Sequence, residues 1–296
     1  MHGRGAVFGI ALCLVIAGCE KPDWTVPPVI PADGSARFSP DAQMVAFCRN
    51  HDATRASGIY LIAVDGTRER FLTEGLSPAW RPDGSQIAVA LGPDIWTVDA
   101  ASGMAVRRIA EMGEPLGGID WSPDGKWITF NARSFPDIGI GRVNAATGDF
   151  AVLIRGPAEN ARWSPDGRRL AFVRGHSTTS DSPGVYLADS AGQAAVPIVL
   201  DSDRYAFSDP CWFGDLLVCT YTYNDGMEFA TGTALVDSAG TWRPLSLDGA
   251  CSDAAKTAGE LVSTRRVYDE QPSGAARLFL SKPDGESPRQ LTFPER

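Results

Sequence analysis

The sequence contains few histidines. Only three occur in 296 residues, and two of them, His51 and His176, lie in the part of the chain that we expect to fold. They fall in separate repeat units, so we interpret both as solvated loop histidines. A metal-dependent lyase would need several histidines or carboxylates in one cluster. We therefore predict no metal site and no cofactor.

A serine nucleophile elbow is also missing from the sequence. The α/β-hydrolases carry Gly-x-Ser-x-Gly on an α/β domain, followed by an acid and a histidine. Gly175-His176-Ser177 does not fit this pattern. We therefore expect that the chain is not an enzyme. Carboxylates assembled from separate units at the centre of the fold stay open as an alternative, which perturbed pKa values would reveal.

No apolar run is long enough to span a bilayer, which takes about 20 residues. The run at residues 6–17 follows Arg4 and ends in small residues before Cys19. This pattern is typical of a secretory leader, which we place at residues 1–18. Ile16-Ala17-Gly18-Cys19 resembles the bacterial lipobox. The alternative is an ordinary secreted protein whose leader happens to contain a cysteine.

The lipobox resemblance implies that Cys19 is lipidated and attaches the chain to a membrane on the periplasmic side. Glu20 stands where an aspartate often signals inner-membrane retention, so we expect the outer membrane. Residues 19–36 contain four prolines and read as an extended tether. The folded domain is predicted at residues 37–296.

Positive charge is scarce in this sequence. Lysine and arginine number 27 against 36 aspartates and glutamates, giving a formal net charge of −9. The phosphate backbone of a nucleic acid attracts basic surfaces. We therefore expect no nucleic-acid partner.

Four cysteines lie in the predicted domain. Cys48 and Cys219 occupy matching second strands and are predicted to be buried thiols. Cys211 and Cys251 lie in neighbouring first strands, where an oxidising compartment would permit a disulfide. The sequence leaves that pairing open.

A repeat of about 42 residues organises the rest of the chain. Its aromatic position, followed in the clearest copies by a Pro-Asp-Gly turn, recurs at Phe38, Trp80, Trp121, Trp163, Trp212 and, in a degraded copy, Cys251. Three further β-prone runs follow each copy. Such units cannot bury both faces alone and must stack around a ring. The sequence predicts an all-β, monomeric, six-bladed β-propeller of four-stranded antiparallel blades, with blades starting near residues 37, 79, 120, 162, 211 and 250.

The turn after each first strand has a physical explanation. Proline presets φ, aspartate bonds nearby backbone N–H groups, and glycine accepts positive φ, so the chain reverses within a few residues. We interpret these turn residues as structural: Asp41, Asp83, Gly84, Asp124, Gly125, Asp166 and Gly167. The repeat tryptophans are expected to pack between blades.

The repeated Trp-Ser-Pro-Asp-Gly turn and the Tyr-Leu-x-x-Asp-like third strand resemble TolB-type β-propellers with WD-like repeats over residues 37–296. The resemblance implies the fold but not one activity, since such propellers also serve as side domains of peptidases and as lyases. The sequence departs from TolB itself because the α/β domain that precedes the propeller there is missing. No spare strand for closing the ring is evident unless residues 24–30 supply one.

The two faces of the predicted propeller differ. The first-to-second and third-to-fourth connections are short and repetitive and form the hairpin face. The other connections are long and different in every unit, and they form the loop-rich face, where recognition usually lies. Tyrosine and arginine are favoured interface residues. The candidate binding residues on this face are Arg133, Phe135, Arg204, Tyr205, Phe207, Tyr221, Tyr223, Phe229, Arg265, Arg266 and Tyr268, and the alternative is that these aromatics pack locally.

These observations favour a membrane-anchored periplasmic scaffold that binds another envelope protein. A small-molecule or glycan-binding propeller, with the channel mouth as its pocket, is the second interpretation. A hydrolase or lyase that uses channel carboxylates is the third.

Overall fold

The computed structural model describes residues 32–50, 57–111, 117–132, 138–175, 182–246, 250–255, 259–267, 275–282 and 288–293. Within these residues 24 strands form six four-stranded sheets, each built from consecutive antiparallel strands. Neighbouring sheets contact one another in chain order, and the sixth contacts the first. The described residues include no helix that is long and apolar enough to cross a membrane. The predicted six-bladed β-propeller is confirmed.

The strands follow the chain from the channel outward in each blade. Blade 1 consists of β1 (Ala32–Phe38), β2 (Met44–Asn50), β3 (Gly58–Ala63) and β4 (Arg70–Glu74). Blade 2 consists of β5 (Leu76–Trp80), β6 (Gln86–Leu91), β7 (Asp94–Asp99) and β8 (Ala105–Glu111). Blade 3 consists of β9 (Asp120–Trp121), β10 (Trp127–Ala132), β11 (Gly139–Asn144) and β12 (Phe150–Arg155).

The second half of the ring repeats this arrangement. Blade 4 consists of β13 (Ala158–Trp163), β14 (Arg169–Arg174), β15 (Gly184–Asp189) and β16 (Val196–Leu200). Blade 5 consists of β17 (Tyr205–Phe213), β18 (Leu216–Asn224), β19 (Phe229–Val236) and β20 (Trp242–Ser246). Blade 6 consists of β21 (Ala250–Ala255), β22 (Glu260–Val267), β23 (Ala275–Ser281) and β24 (Arg289–Gln290).

Two sequence-based boundaries need correction. Strand β1 begins at Ala32, inside the predicted tether, because its first residues already pair with the end of β2. In blade 6, Ala254 pairs with Leu261 as Trp163 pairs with Leu170. Ala254, rather than Cys251, therefore occupies the aromatic position of the sixth repeat. Alanine carries no aromatic signal, which is why the sequence pattern was misaligned there.

The hydrophobic core lies between blades. Each of the six apolar clusters joins two neighbouring blades, because a strand buries one face against the blade before it and the other against the blade after it. The cluster that contains Phe47 and Leu280 joins blade 1 to blade 6. Burial of one such side chain contributes roughly 1.5–3 kcal/mol relative to exposure. The packing between blades thus holds the ring together.

The turns of the hairpin face are fixed by their own side chains. Ser122 donates its hydroxyl hydrogen to Asp124 Oδ1 at 2.6 Å, and the same aspartate oxygen accepts the Lys126 backbone N–H at 3.1 Å. The turns at Asp41 and Asp166 contain the equivalent bond from the serine two residues earlier, whereas Asp83 accepts the hydroxyl of Ser85, two residues later. Gly84, Gly125 and Gly167 all have positive φ. These seven residues are thus engaged within the turns themselves.

Arginine side chains connect successive blades along the hairpin face. Arg70 Nη2 donates to the Ala100 carbonyl at 2.7 Å, from blade 1 to blade 2. Arg107 reaches the Ala146 carbonyl of blade 3, and Arg289 reaches the Val64 carbonyl across the junction of blades 6 and 1. Each bond satisfies a carbonyl in the turn between the third and fourth strands of the next blade. These bonds fix the spacing between neighbouring blades.

The ring closes without a strand shared between blades 1 and 6, among the residues described. A buried charge cluster lies at this junction instead. Asp33 Oδ1 accepts Arg49 Nε at 2.7 Å, and its Oδ2 lies 3.6 Å from Arg277 Nη1 of blade 6. Arg49 also pairs with Glu69 at 2.7 Å. The alternative closing segment, residues 24–30, lies outside the described residues.

Candidate functional site

Six equivalent residues surround the channel, one in each first strand directly before the aromatic position. All six pair with the third residue of their second strand, so they lie at one level. We call them the inner ring: Arg37, Ala79, Asp120, Arg162, Cys211 and Asp253. Read around the ring, they give arginine, a small residue and aspartate, twice. The channel therefore has an approximate two-fold arrangement of charge.

The aspartates of the inner ring join neighbouring blades. Asp120 Oδ2 accepts the Trp163 backbone N–H at 2.8 Å, from blade 3 to blade 4. Asp253 Oδ2 accepts the Phe38 N–H at 2.9 Å, from blade 6 to blade 1. The indoles of Trp80 and Trp212 likewise donate to the carbonyls of Arg37 and Arg162, both at 3.1 Å. The inner ring is thus structural and at the same time places charge on the axis.

A second tier of residues, the outer ring, lies two positions earlier in the first strands. Ser35, Ser77, Gly118, Asn160 and Asp209 all have φ between 48° and 61°. A bulge in the pairing of the first and second strands spans four of these positions. Non-glycine residues at positive φ are uncommon and often mark functional positions. In every case the residue lines the channel.

The two tiers enclose a cavity of about 370 Å³ at the channel mouth, lined by Ser35, Arg37, Ser77, Gly118, Asn160, Arg162, Asp209, Ala250 and Thr264. All six blades contribute to it. The first strands begin on the loop-rich side, so the cavity opens toward that face. A few convergent polar groups in a pocket of this size are typical of a ligand site.

A chain of hydrogen bonds orders one side of this mouth. Asn131 Oδ1 accepts the Asn160 backbone N–H at 2.9 Å, and Asn160 Nδ2 donates to Asp209 Oδ1 at 3.1 Å. Ser208 Oγ donates to the other carboxylate oxygen of Asp209 at 3.0 Å. A Cβ on Gly118 would meet Asn131 Oδ1 at 2.4 Å. Glycine at position 118 therefore makes room for the asparagine that starts the chain.

The three channel carboxyl groups have raised pKa values. Desolvation raises the pKa of Asp120 to about 7, although the Trp163 N–H and the nearby Arg37 charge oppose the shift. Desolvation also raises the pKa values of Asp209 and Asp253, against the charge of Arg37. Since its pKa lies near 7, Asp120 can hold or release a proton near neutral pH. The three groups belong to blades 3, 5 and 6 and are the perturbed channel carboxyl groups that the sequence left open as an alternative.

Replacing Asp120 by asparagine should change how stability depends on pH. The unfolded aspartate has a pKa of about 3.9 and the folded one of about 7, so the folded wild type binds an extra proton between these values. The stability that Asp120 contributes to the wild type is fully present at low pH and is lost as the pH rises through 7. Relative to wild type, the Asp120→Asn variant should gain roughly 2–4 kcal/mol between pH 4 and pH 8.

Urea unfolding followed by tryptophan fluorescence at several pH values measures this difference. Asp166→Asn is the control, because the Ser164 hydroxyl lowers the pKa of Asp166. Its stability relative to wild type should stay nearly constant between pH 4 and pH 8, because the stabilisation by a carboxylate with a lowered pKa is lost only below about pH 4. Parallel pH profiles for wild type and Asp120→Asn would show that folding does not raise the pKa of Asp120.

Blade 5 extends beyond the other blades on the loop-rich face. Strands β18 and β19 pair over eight positions, whereas the corresponding pairs in blades 1–4 cover six. Two further positions lengthen the hairpin by about 7 Å. Its tip exposes Met227 and Phe229, which are 96% and 72% accessible. Residues 220–231, predicted as a loop, are thus mostly strand.

Aromatic side chains pack along the base of this hairpin. The Tyr205 ring lies 5.2 Å from Tyr223 and 5.0 Å from Trp242, measured between centroids. Phe207 and Tyr221 are buried in the same cluster. Their placement in loops is wrong, because they lie in β17 and β18 and pack in the core, and their role in binding stays a prediction. Tyr205 and Tyr223 are half-buried in the cluster, while Arg204 and Phe229 are exposed.

The other predicted binding residues lie elsewhere. Arg265 is half-buried in β22, where its guanidinium lies over the Phe279 ring at 5.3 Å. Arg266 follows it in the same strand rather than in a loop. Arg133, Phe135 and Tyr268 lie outside the described residues, as does Cys19. The channel residues Arg37, Asn160, Arg162 and Asp209 were not predicted as a site.

The described part of the chain contains no group of three histidine, cysteine, aspartate or glutamate side chains placed to hold a metal. His51 and His176 lie outside it. Cys48 and Cys219 are buried, and desolvation raises the pKa of Cys48 to about 12. The side chain of Cys251 is not described, so the pairing of Cys211 with Cys251 stays a prediction.

Comparisons with known proteins place this geometry in context. A family model described as a TolB β-propeller domain matches residues 30–216. Among curated proteins, an uncharacterized protein of Agrobacterium fabrum is 30% identical over 156 residues, covering 49% of this chain and 52% of that protein. The uncharacterized peptidase YuxL of Bacillus subtilis is 29% identical over 158 residues, covering 49% and 22%. The chain therefore spans about half or less of these relatives.

Solved structures share the fold. A putative TolB from Agrobacterium tumefaciens superposes with a TM-score of 0.59 at 19% identity, covering 75% of this chain and 82% of that one. The propeller domain of the Trilobed protease from Pyrococcus furiosus gives 0.57 at 16%, covering 87% and 83%. An oligogalacturonate lyase in complex with manganese gives 0.58 at 16%, covering 86% and 74%.

These findings correct the prediction that the chain is not an enzyme. A sequence relative is named a peptidase, and propellers of a protease and a lyase share the fold. The prediction failed because it counted only sequence motifs. Residues from separate blades can assemble a site that no local motif reveals, so the missing motifs did not exclude catalysis.

Proposed function

Because the chain belongs to the TolB β-propeller domain family, we propose that it is a cell-envelope propeller that binds a partner protein through the loop-rich face. The observation that carries the proposal is the blade 5 hairpin, which presents two apolar side chains, Met227 and Phe229, at its tip. A long hairpin with an apolar tip places hydrophobic surface where a partner can enclose it.

The tip is held in one conformation. Asp225 Oδ1 accepts the backbone N–H groups of Met227 and Glu228 at 3.0 and 2.8 Å, and the Tyr223 hydroxyl donates to Asp225 Oδ2 at 2.8 Å. The aromatic cluster fixes the base of the hairpin. A preorganised element loses little conformational entropy on binding, which favours affinity.

The charge around the tip indicates the kind of partner. Asp225 and Glu228 flank Met227, and both are exposed acids. A partner with an apolar cleft and a basic rim would match this pattern, since complementary charge at an interface favours encounter and specificity.

The proposed location rests on the leader and on Cys19. Lipidation there would hold the propeller at the periplasmic side of a membrane, and Glu20 favours the outer membrane. Two or more acyl chains give stable anchoring, whereas a single chain binds only marginally. The tether would then present the propeller to other envelope proteins.

The double variant Met227→Ser, Phe229→Ser tests the proposed function. Both side chains are exposed, so the fold should be unaffected while the partner recovered from detergent-solubilised envelopes falls at least tenfold. The matched control is Met104→Ser, Phe150→Ser, which removes a methionine and a phenylalanine, 69% and 62% exposed, on the hairpin face. Equal recovery with both double variants, measured by quantitative mass spectrometry, would refute docking through blade 5.

A hydrolase is the second candidate function, and Asp209 is the observation that favours it. Its carboxyl group lines the mouth cavity with a raised pKa and is oriented by Asn160 and Ser208. A carboxylate so placed could act as a general base toward water. Activity on a panel of peptide anilides and esters, lost at least 100-fold in Asp209→Asn, would establish this candidate.

A further inference from the structure

Two arginines approach the channel axis from opposite sides of the mouth cavity. Arg37 belongs to blade 1 and Arg162 to blade 4, at the same register position, so half of the six-bladed ring separates them. Both line the cavity of about 370 Å³. Their side chains therefore place two fixed positive charges around one enclosed space.

Arg162 has hydrogen-bonding capacity to spare. The residue is only 9% exposed, and its Nη1 donates to the carbonyls of Ala161 and Ile119 at 3.1 and 3.5 Å. Within the described chain, no group accepts a hydrogen bond from its Nε or Nη2. Neither nitrogen is among the described buried atoms that lack a partner, so both are accessible from the cavity. A ligand there can accept charge-assisted hydrogen bonds from them.

The cavity lining is rich in hydrogen-bond donors, and its formal charge is positive. The hydroxyl groups of Ser35 and Ser77 line the mouth beside the two arginines. Asp209 is the one carboxylate among the lining residues, and both of its oxygens already accept bonds, from Asn160 and Ser208. Asp120 and Asp253 interact with the Arg37 charge but do not line the cavity, and burial raises their pKa values, which favours their neutral form. Among the lining residues, two guanidinium charges against one carboxylate leave a charge of about +1.

We infer that the mouth cavity binds a carboxylate group of a ligand between the guanidinium groups of Arg37 and Arg162. A carboxylate is planar and can accept two parallel N–H bonds from a guanidinium. As a monoanion it balances the lining charge. A phosphate dianion would exceed that charge beside Asp209. The inference does not depend on docking through blade 5.

The probe is N-acetyl-alanyl-alanine with a free carboxylate, titrated calorimetrically into the full-length chain. Its C-terminal amide and inorganic phosphate are the comparison ligands. We expect the acid to bind saturably and to raise the unfolding temperature as its concentration increases. The amide should bind at least tenfold more weakly, because it cannot form charge-assisted bonds to both arginines.

Two variants locate the binding site. Arg162→Gln shortens the side chain and removes its charge, and should weaken binding of the acid at least tenfold. Ser77→Asp adds a negative charge at the rim, at a φ of 51° that aspartate tolerates, and should weaken it similarly. Lys126→Gln on the hairpin face is the control and should leave binding unchanged. If Arg162→Gln fails to fold, the affinity of the Ser77→Asp variant for the acid tests the site instead.

Three results would overturn the inference. They are equal binding of acid and amide, tighter binding of phosphate than of the acid, and unchanged affinity in folded Ser77→Asp. The variant Met227→Ser, Phe229→Ser separates this site from the proposed function. It should bind the acid like wild type even though it no longer captures a partner.

Discussion

Removing the Asp33 carboxylate is expected to lower the free energy of unfolding by roughly 3–5 kcal/mol, the usual cost of breaking a buried ion pair. The Asp33 side chain is inaccessible, and those of Arg49 and Arg277 are 1% exposed. In Asp33→Ala, both guanidiniums lose their shared carboxylate in a site that water does not reach. Urea unfolding at neutral pH measures the loss.

The exposed pair of Lys126 and Asp124 provides the control for Asp33→Ala. Their charged atoms are 3.8 Å apart, and the side chains are 72% and 51% exposed. Surface pairs contribute about 0–1 kcal/mol, so Lys126→Gln should be nearly neutral. In Asp33→Ala, amide hydrogen exchange should also accelerate in β1 and β23 before other strands. A loss below about 1 kcal/mol would show that apolar packing alone closes the ring.

Gly103→Ala is expected to lower the free energy of unfolding by about 4 kcal/mol, because two effects combine at this turn. The residue has a φ of +72°, which an alanine adopts at a cost of roughly 1–2 kcal/mol. A Cβ there would also lie 2.1 Å from the Leu72 carbonyl oxygen of the preceding blade. Relieving that overlap means separating two blades, at a cost typical of overpacking, about 1–3 kcal/mol.

Gly84→Ala separates the two effects. Gly84 has a nearly identical φ of +74°, but a Cβ there would meet no atom within 4 Å. Gly84→Ala should therefore lower the free energy of unfolding by only about 1–2 kcal/mol. The difference between the two variants, measured by urea unfolding, reports the contact between blades. Equal losses would mean that backbone strain alone accounts for Gly103.

The fold could be predicted because its signals are local and repeated. The turn at Asp124 and Gly125 uses a mechanism confined to a few residues, and the same residues recur in other blades. The sixth repeat was misaligned for the same reason, since Ala254 replaces the aromatic residue and leaves no local signal. The register of the sixth repeat follows only from the structure, in which Ala254 pairs with Leu261.

The channel site could not be predicted in the same way. Arg37, Arg162 and Asp209 come from three blades, and only closure of the ring brings them into one cavity. The repeat did contain a usable signal, because the residue directly before each aromatic alternates between arginine, a small residue and aspartate. The candidate binding residues on blade 5 show a second limit, because strand length cannot be read from the repeat. Tyr221 and Phe207 were assigned to loops, but extension of β17 and β18 buries them.

Docking through blade 5 is tested most directly by photo-crosslinking in the native envelope. A photoreactive residue is placed at Met227 and, in a separate variant, at Met104 on the hairpin face. We expect one discrete protein adduct from position 227 and none from position 104. The same adducts from both positions, or an adduct from position 104 alone, would contradict a partner site on the loop-rich face.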